Sequence, residues 1–359
     1  MNRSVLMRTA IGGIAVAALA LAGCSSGDDG NNANPTESAN PYAELTGTLD
    51  ASGASFPNAY YQAALDAFAD VAPDLEIQYR STGSGTGKKE FGEGITSFAG
   101  TDSTVKDGDG PTPGSFYYIP TVAASITVSY NLAEVPELKL SGPTLAKIFS
   151  RTITSWDAAE IKADNAGATL PAKPIVVVHR SDGSGTTNNF TKFLVAAGGS
   201  DWTLGSGDTV SWPADTQAGD KNPGVANAIK GADGAIGYVD FADATAAGLK
   251  FAAVKNKDGS FVVPTLEGAV AALAGATLND DLTYNPLFGA GADAYPITAP
   301  TYLLVKPAYD DAEEGAAVKG FIKWLLTDGR DVAAPLGYAV LPDSIQSAAL
   351  DKLDSVTVG

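Results

Sequence analysis

The tetrapeptide Gly-Ser-Gly-Thr occurs at 83–86 and again at 183–186 of this 359-residue chain. Leu75 to Tyr79 alternates as a strand before the first copy, and Lys88 to Gly94 reads as the helix after it. Ile175 to Val178 reads as a buried strand before the second copy, and Thr187 to Leu194 as the start of the next helix. A strand that ends in a Gly/Ser turn and opens a helix leaves several backbone N–H groups without intrahelical partners. Those donors, with the positive end of the helix dipole, make an anion site. Arg180 adds a guanidinium at the end of the second strand. Two such units predict two lobes that present equivalent loops to each other. Chance recurrence in a chain with 40 glycines is the alternative.

Elsewhere the sequence also alternates between strand and helix patterns. Strands are expected at 48–51, 97–100, 122–130, 235–239 and 301–305, with 251–254 and 261–263 pairing nearby. Helices are expected at 59–71, 145–149, 266–274, 316–326 and 345–353, with Pro57 in the first turn of the 59–71 helix. That succession implies α/β layers. The length suits two domains, and the long run Val122 to Tyr130 reads as a connection between them. A formal charge of −18 argues against nucleic acid or an anionic membrane surface as ligand. It leaves a small anion open, because surface charge is screened over about 8 Å at physiological salt.

With one cysteine, Cys24, no intrachain disulfide can form, and a single histidine, His179, excludes a His-rich metal site. No metal or cofactor is expected. Arg3 and Arg8 precede an apolar run from Thr9 to Ala22, too short for the roughly 20 residues of a membrane-spanning helix. The run ends in Leu21-Ala22-Gly23-Cys24, which resembles a bacterial lipobox. Residues 1–23 are therefore read as a lipoprotein signal peptide and Cys24 as the lipidated residue that attaches the chain to a membrane. An ordinary signal peptide with an incidental cysteine is the alternative. Residues 24–46, rich in Ser, Gly, Asn, Asp and Pro, read as a flexible tether.

Enzyme patterns are missing. No Gly-x-x-x-x-Gly-Lys-Ser/Thr loop is present, Lys88 and Asn188 break Gly-x-Gly-x-x-Gly, and no Gly-x-Ser-x-Gly elbow occurs. His179 near serines could be a hydrolase base, but at the end of a buried strand it is read as a packed or hydrogen-bonded histidine. What remains is a set of loops: Ala54-Ser55-Phe56, Gly83-Ser84-Gly85, Gly100-Thr101-Asp102 and Arg180 to Thr186. At each of them ordinary helix capping is the alternative to a binding role.

These loops carry a resemblance, together with Phe98-Ala99-Gly100-Thr101-Asp102, Ser211-Trp212-Pro213, Gly234 to Val239, Tyr295-Pro296-Ile297-Thr298 and Leu341-Pro342-Asp343-Ser344. In order and spacing the chain resembles the phosphate-binding proteins of bacterial phosphate-specific ABC importers. The resemblance implies a two-lobed periplasmic-binding-protein fold of the second class, with 47–125 plus 264–359 as one lobe, 126–263 as the other and the ligand cleft between them. It implies a non-enzymatic monomer that captures inorganic phosphate on the extracytoplasmic face of the membrane. Delivery would be to an ABC permease with its ATPase subunits. Carried over residue by residue, Ser55, the Phe56 amide and Ser84 would donate from the first lobe. Asp102 would accept the phosphate's own proton. Arg180, oriented by Asp182, would pair with phosphate oxygens, while Ser184, Gly185 and Thr186 donate from the second lobe. The family commonly has Thr where this chain has Ser55, and a basic residue where His179 stands. Sulfate or molybdate binding, a phosphatase and a phosphate sensor or adhesion antigen remain as alternatives.

Overall fold

Tyr117–Asn131 is a 15-residue strand buried along nearly its whole length. Its Val, Ile and Thr residues suit a pleated surface packed on both faces. The computed structural model describes residues 40–359 and builds the molecule around this strand. Up to Ser125 it pairs antiparallel with Thr298–Val305; from Ile126 onward it pairs antiparallel with Ala235–Asp240. The main sheet therefore runs Leu75–Ser81, Gly47–Gly53, Phe98–Thr101, Thr298–Val305, Tyr117–Asn131, Ala235–Asp240, Val176–Arg180, Gln217–Gly219. On one side Gly47–Gly53 is parallel to both Leu75–Ser81 and Phe98–Thr101. On the other, Val176–Arg180 is parallel to Gln217–Gly219 and Ala235–Asp240. Each half is thus a parallel unit joined to its neighbour through antiparallel central strands. In open parallel sheets ligands bind beyond the carboxyl ends of the strands.

Most expected elements are present, with shifted ends. Ala253–Lys255 pairs with Phe261–Val262 as expected. The helix read at 88–94 instead spans Ser84–Gly92, and that read from Thr187 spans Gly185–Gly198. Pro57 is the N-cap of helix Asn58–Ala69, not a residue of its first turn. That helix buries Tyr60, Tyr61, Ala64 and Phe68, with Ala63 and Ala67 only half-buried. Trp156 is a packing residue, its indole N–H donating to the Gly234 carbonyl (2.9 Å).

Residues 1–39, on which the expected signal peptide, Cys24 and most of the expected tether fall, lie outside the described residues. The tether was expected to run to 46. Instead the chain is seated on the folded body from Asn40, whose amide donates to the Val71 carbonyl (2.7 Å). Tyr42 packs edge-on against Phe68 and donates to Asp328 (3.2 Å), and Leu45 packs against the core. Burial of these two apolar side chains overrides the polar composition around them. No helix among the described residues is long and apolar enough to cross a membrane.

Candidate functional site

Six chain segments leaving the carboxyl ends of parallel strands converge at the centre of the sheet. From one half come Ser55 with Phe56, Ser84 and Asp102; from the other come the Arg180–Thr186 loop, Asn222 and Asp240. Ser55, Phe56, Ser84, Asp102, Arg180, Ser184, Gly185 and Thr186 are all buried. Asp182 is partly exposed.

Asp102 follows strand Phe98–Thr101. Its Oδ1 accepts from Thr301 (2.7 Å), its Oδ2 lies 3.4 Å from the Ser84 hydroxyl, and its N–H donates to that same hydroxyl (3.3 Å). Burial pushes its pKa up to about 7, opposed by the Thr301 hydrogen bond, the Arg180 charge and Ser84; the Asp208 charge adds to the rise. At neutral pH this carboxyl is poised between acceptor and donor.

Arg180 ends strand Val176–Arg180, where its own N–H donates to the Tyr238 hydroxyl (3.1 Å). Asp182 grips one edge of the guanidinium, from Nε to Oδ1 (2.7 Å) and from Nη2 to Oδ2 (2.5 Å). The other edge is turned toward Thr186, whose hydroxyl accepts from Nη1 (3.4 Å). Asp182 also accepts from the N–H of Lys221 (3.1 Å), a residue held at φ 57°. A non-glycine residue there costs energy and is commonest at functional sites. It leads into buried Asn222, whose side-chain N–H donates to both Ser55 (3.1 Å) and Thr186 (3.2 Å). Ser184 caps helix Gly185–Gly198, accepting from the Thr187 N–H (3.1 Å).

The hydroxyls therefore share one polarity. Ser55 and Thr186 accept from Asn222, Ser84 from the Asp102 N–H, and Ser184 from the Thr187 N–H. A hydroxyl has one proton and two lone pairs. With an N–H on the oxygen, the protons of Ser55, Thr186 and Ser184 remain to be donated, while that of Ser84 points to Asp102 Oδ2. Arg180 adds guanidinium donors, and Asp102 is the acceptor among them.

Both halves touch here. The Gly85 N–H donates to the Gly183 carbonyl (3.0 Å), joining the two Gly-Ser-Gly-Thr loops directly. A Cβ at Gly185 would lie 2.6 Å from the Asp102 Cβ and 2.7 Å from the Ser84 hydroxyl. Asn189 donates to the Asp102 carbonyl (2.6 Å). Buried Lys88 reaches Asp208 (2.8 Å) as well as Asp109 (3.0 Å) and Ser103 (3.3 Å). Asp208 in turn accepts from Ser103, from the Asn188 amide and, at its carbonyl, from the Ser184 N–H.

Sequence reading missed Asn222, Thr301, Asn189, Asp208 and Lys88, which lie outside the quoted loops or, for Lys88, just past one. His179 stacks on Trp212 (4.9 Å between ring centroids), and its ring nitrogens face the Arg180 carbonyl (2.8 Å) and Thr216 (3.1 Å). Burial lowers its pKa. Its hydrogen-bond partners include none of the site serines. Among the described residues no group of three or more His, Cys, Asp or Glu side chains forms a metal-binding cluster.

A family model described as a PBP superfamily domain matches residues 38–329. Phosphate-binding protein PstS of Methanocaldococcus jannaschii is 33% identical, the match covering 95% of this chain and 93% of that protein. Phosphate-binding protein PstS 3 of Mycobacterium leprae is 33% identical over 94% of this chain and 95% of its own. Among solved structures, a phosphate-binding protein from Stenotrophomonas maltophilia superposes with a TM-score of 0.69 at 24% identity, covering 88% of this chain and 97% of that one. A high-affinity periplasmic phosphate-binding protein bound with phosphate also gives 0.69 at 24% identity, covering 84% and 92%. The two-lobed α/β architecture is shared with these structures, and by sequence the chain belongs to the PBP superfamily, among the phosphate-binding proteins PstS.

Proposed function

We propose that this chain binds inorganic phosphate outside the cytoplasmic membrane and delivers it to an ABC permease without chemically altering it. The observation that carries the proposal is the polarity of the site: the Ser55, Thr186 and Ser184 hydroxyls, each with an N–H on its oxygen, lie with Arg180 in the converging loops. Those loops also bring in the carboxylate of Asp102, with Ser84 and Thr301 donating to it. Such a set suits an oxyanion that keeps a proton. Phosphate near neutral pH has one and sulfate has none. Asp102, ionised, accepts a hydrogen bond from P–OH but meets a bare sulfate oxygen as like charge. Sites built on such a bond reject the analogue lacking it by about 10⁴–10⁵.

In this reading Ser55, the Phe56 amide and Ser84 donate from a lobe formed by 47–125 and 264–359. Arg180, Ser184, Gly185 and Thr186 donate from the lobe 126–263. Asp182 holds the guanidinium in register, and Asn222 sets the direction of two hydroxyls, one from each lobe. Closure, as in hinged binding proteins, buries the ligand. Cys24 would carry the lipid that keeps a monomer at the membrane. The names of the relatives support binding over catalysis, and the hydrogen-bond partners of His179 speak against its use as a hydrolase base.

Calorimetric titration of phosphate-stripped protein with phosphate, sulfate and arsenate is the test. Tight phosphate binding with no sulfate heat is expected; equal binding of sulfate overturns the assignment. Release of p-nitrophenol from p-nitrophenyl phosphate would overturn the non-enzymatic reading. Radiolabelled palmitate incorporation that survives Cys24→Ser would overturn the anchor.

A further inference from the structure

The acceptor in this site is itself held by a residue from a distant part of the chain. Thr301 lies on strand Thr298–Val305, fully buried, and its hydroxyl donates to Asp102 Oδ1 at 2.7 Å. Its other acceptor, the Thr101 carbonyl, is much farther at 3.5 Å. A bulge sits beside it. Pairing with the long strand steps from Thr301–Val122 to Tyr302–Pro120, leaving Thr121 as the extra residue. Bulges commonly re-aim a neighbouring side chain next to a functional site.

We infer that Thr301 is a specificity-determining positioning residue, which acts by holding Asp102 as a hydrogen-bond acceptor with Oδ2 turned toward the opposite half. The inference rests on the phosphate reading above. A hydroxyl donating to Oδ1 favours Oδ1 as the unprotonated, better-accepting oxygen, so a proton on this carboxyl is favoured on Oδ2. Oδ2 is also the atom that a Cβ on Gly185 would approach at 2.8 Å, which sets it on the boundary between the halves. The Thr301 bond further favours the ionised carboxylate against burial. The other groups within reach are Arg180 and Asp208 from the opposite half, and Ser84 with the phenols of Tyr61, Tyr79, Tyr302 and Tyr338 from its own. Without the Thr301 donor, Asp102 takes a proton from solvent more readily and can donate it to a sulfate oxygen.

The experiment titrates wild type, Thr301→Val and Thr301→Ser with phosphate and with sulfate between pH 6 and 8.5, in buffers of differing ionisation enthalpy. Thr301→Val is expected to cut the phosphate-over-sulfate ratio at pH 7 by about 10- to 100-fold, the range for one hydrogen bond to a charged group. Its sulfate binding should take up a proton and persist to higher pH than in wild type. Thr301→Ser should restore exclusion. If Thr301→Val does not fold, Thr301→Ala carries the same expectation. A ratio and pH profile unchanged in the Val or Ala variant overturn the role of Thr301 while phosphate binding stands. Wild type that fails to prefer phosphate overturns the phosphate reading, and this inference with it.

Discussion

At 83–86 and at 183–186 the chain carries the same tetrapeptide, yet its two serines occupy different places in their helices. Ser84 is the first residue of helix Ser84–Gly92, behind Gly83 at φ 90°, and its hydroxyl turns to Asp102. Ser184 stands one step outside helix Gly185–Gly198 and caps it. Their surroundings differ in sign as well: a carboxylate faces the first serine, while a guanidinium shares the second loop with its serine. Identical sequence therefore yields two helix N-termini that attract an anion in the same way but differ in what they demand of it. In the proposed reading, Asp102 beside the first loop would decide which anion is accepted, and Arg180 in the second would supply most of the attraction.

Asp102→Asn is expected to have the largest effect. An amide can donate to sulfate, so discrimination should fall by at least about 10³-fold from the roughly 10⁴–10⁵ such sites achieve. Competitive titration with sulfate reads this, and a mutant that still excludes sulfate breaks the division of labour. The same substitution bears on stability. The folded state holds Asp102 near 7 against an ordinary 3.8, so it binds an extra proton that the unfolded chain releases. The ligand-free protein should therefore lose stability as pH rises from about 4 to 7, by at most about 4 kcal/mol from this group. Burial raises Asp240 in the same direction. The difference between wild-type and Asp102→Asn melting curves isolates the Asp102 share.

Arg180→Ala comes next. Removing one partner of a buried charge contact typically costs about 2–5 kcal/mol, so phosphate affinity should drop roughly 30- to 4,000-fold. The phosphate-to-sulfate ratio of whatever binding remains should be preserved. A collapsed ratio would mean that the second loop also selects.

Smaller effects separate the glycines. Gly185→Ala drives a methyl into Asp102 and Ser84, at 2.6 and 2.7 Å, and overpacking of about 1–3 kcal/mol should weaken phosphate about tenfold or more. Gly85→Ala meets the Gly183 Cα at 3.1 Å and should cost only a few-fold. Equal losses in both would erase the asymmetry between the loops. Smallest is Asp208→Asn, which weakens the contact with Lys88 across the halves while Asp109 still pairs with that lysine. Stopped-flow release of phosphate should quicken by roughly two- to tenfold, with association little changed.

Much of the site was legible because its residues sit in short motifs at strand ends, where backbone donors and side chains lie within a few positions of one another. Asp102, Arg180 and Ser184 are of this kind. Thr301 and Asn222 are not: each touches residues far away in sequence, 199 positions for Thr301 to Asp102 and 167 for Asn222 to Ser55. Only the strand order brings them in. Helix Ser84–Gly92 was expected too late because Gly-Ser-Gly-Thr-Gly is poor helix sequence. Tertiary packing reverses that preference: a Cβ at Gly87 would lie 2.4 Å from the Gly53 Cα, so a glycine is what lets the helix approach the strand end. Lys88 drew notice only as part of a failed nucleotide loop, whereas its charge serves a pair with Asp208 from the opposite half.

The strand Tyr117–Asn131 changes pairing partner between Ser125 and Ile126 without a break in the chain. Relative movement of the two halves must bend a continuous ribbon that is hydrogen-bonded on both flanks of this point, where the Ile126 N–H donates to the Ile297 carbonyl (2.8 Å). Such a ribbon behaves as a leaf spring rather than a swivel. Any movement that parted the loops at 83–86 and 183–186 would have to flex it, and its recoil would draw them back together.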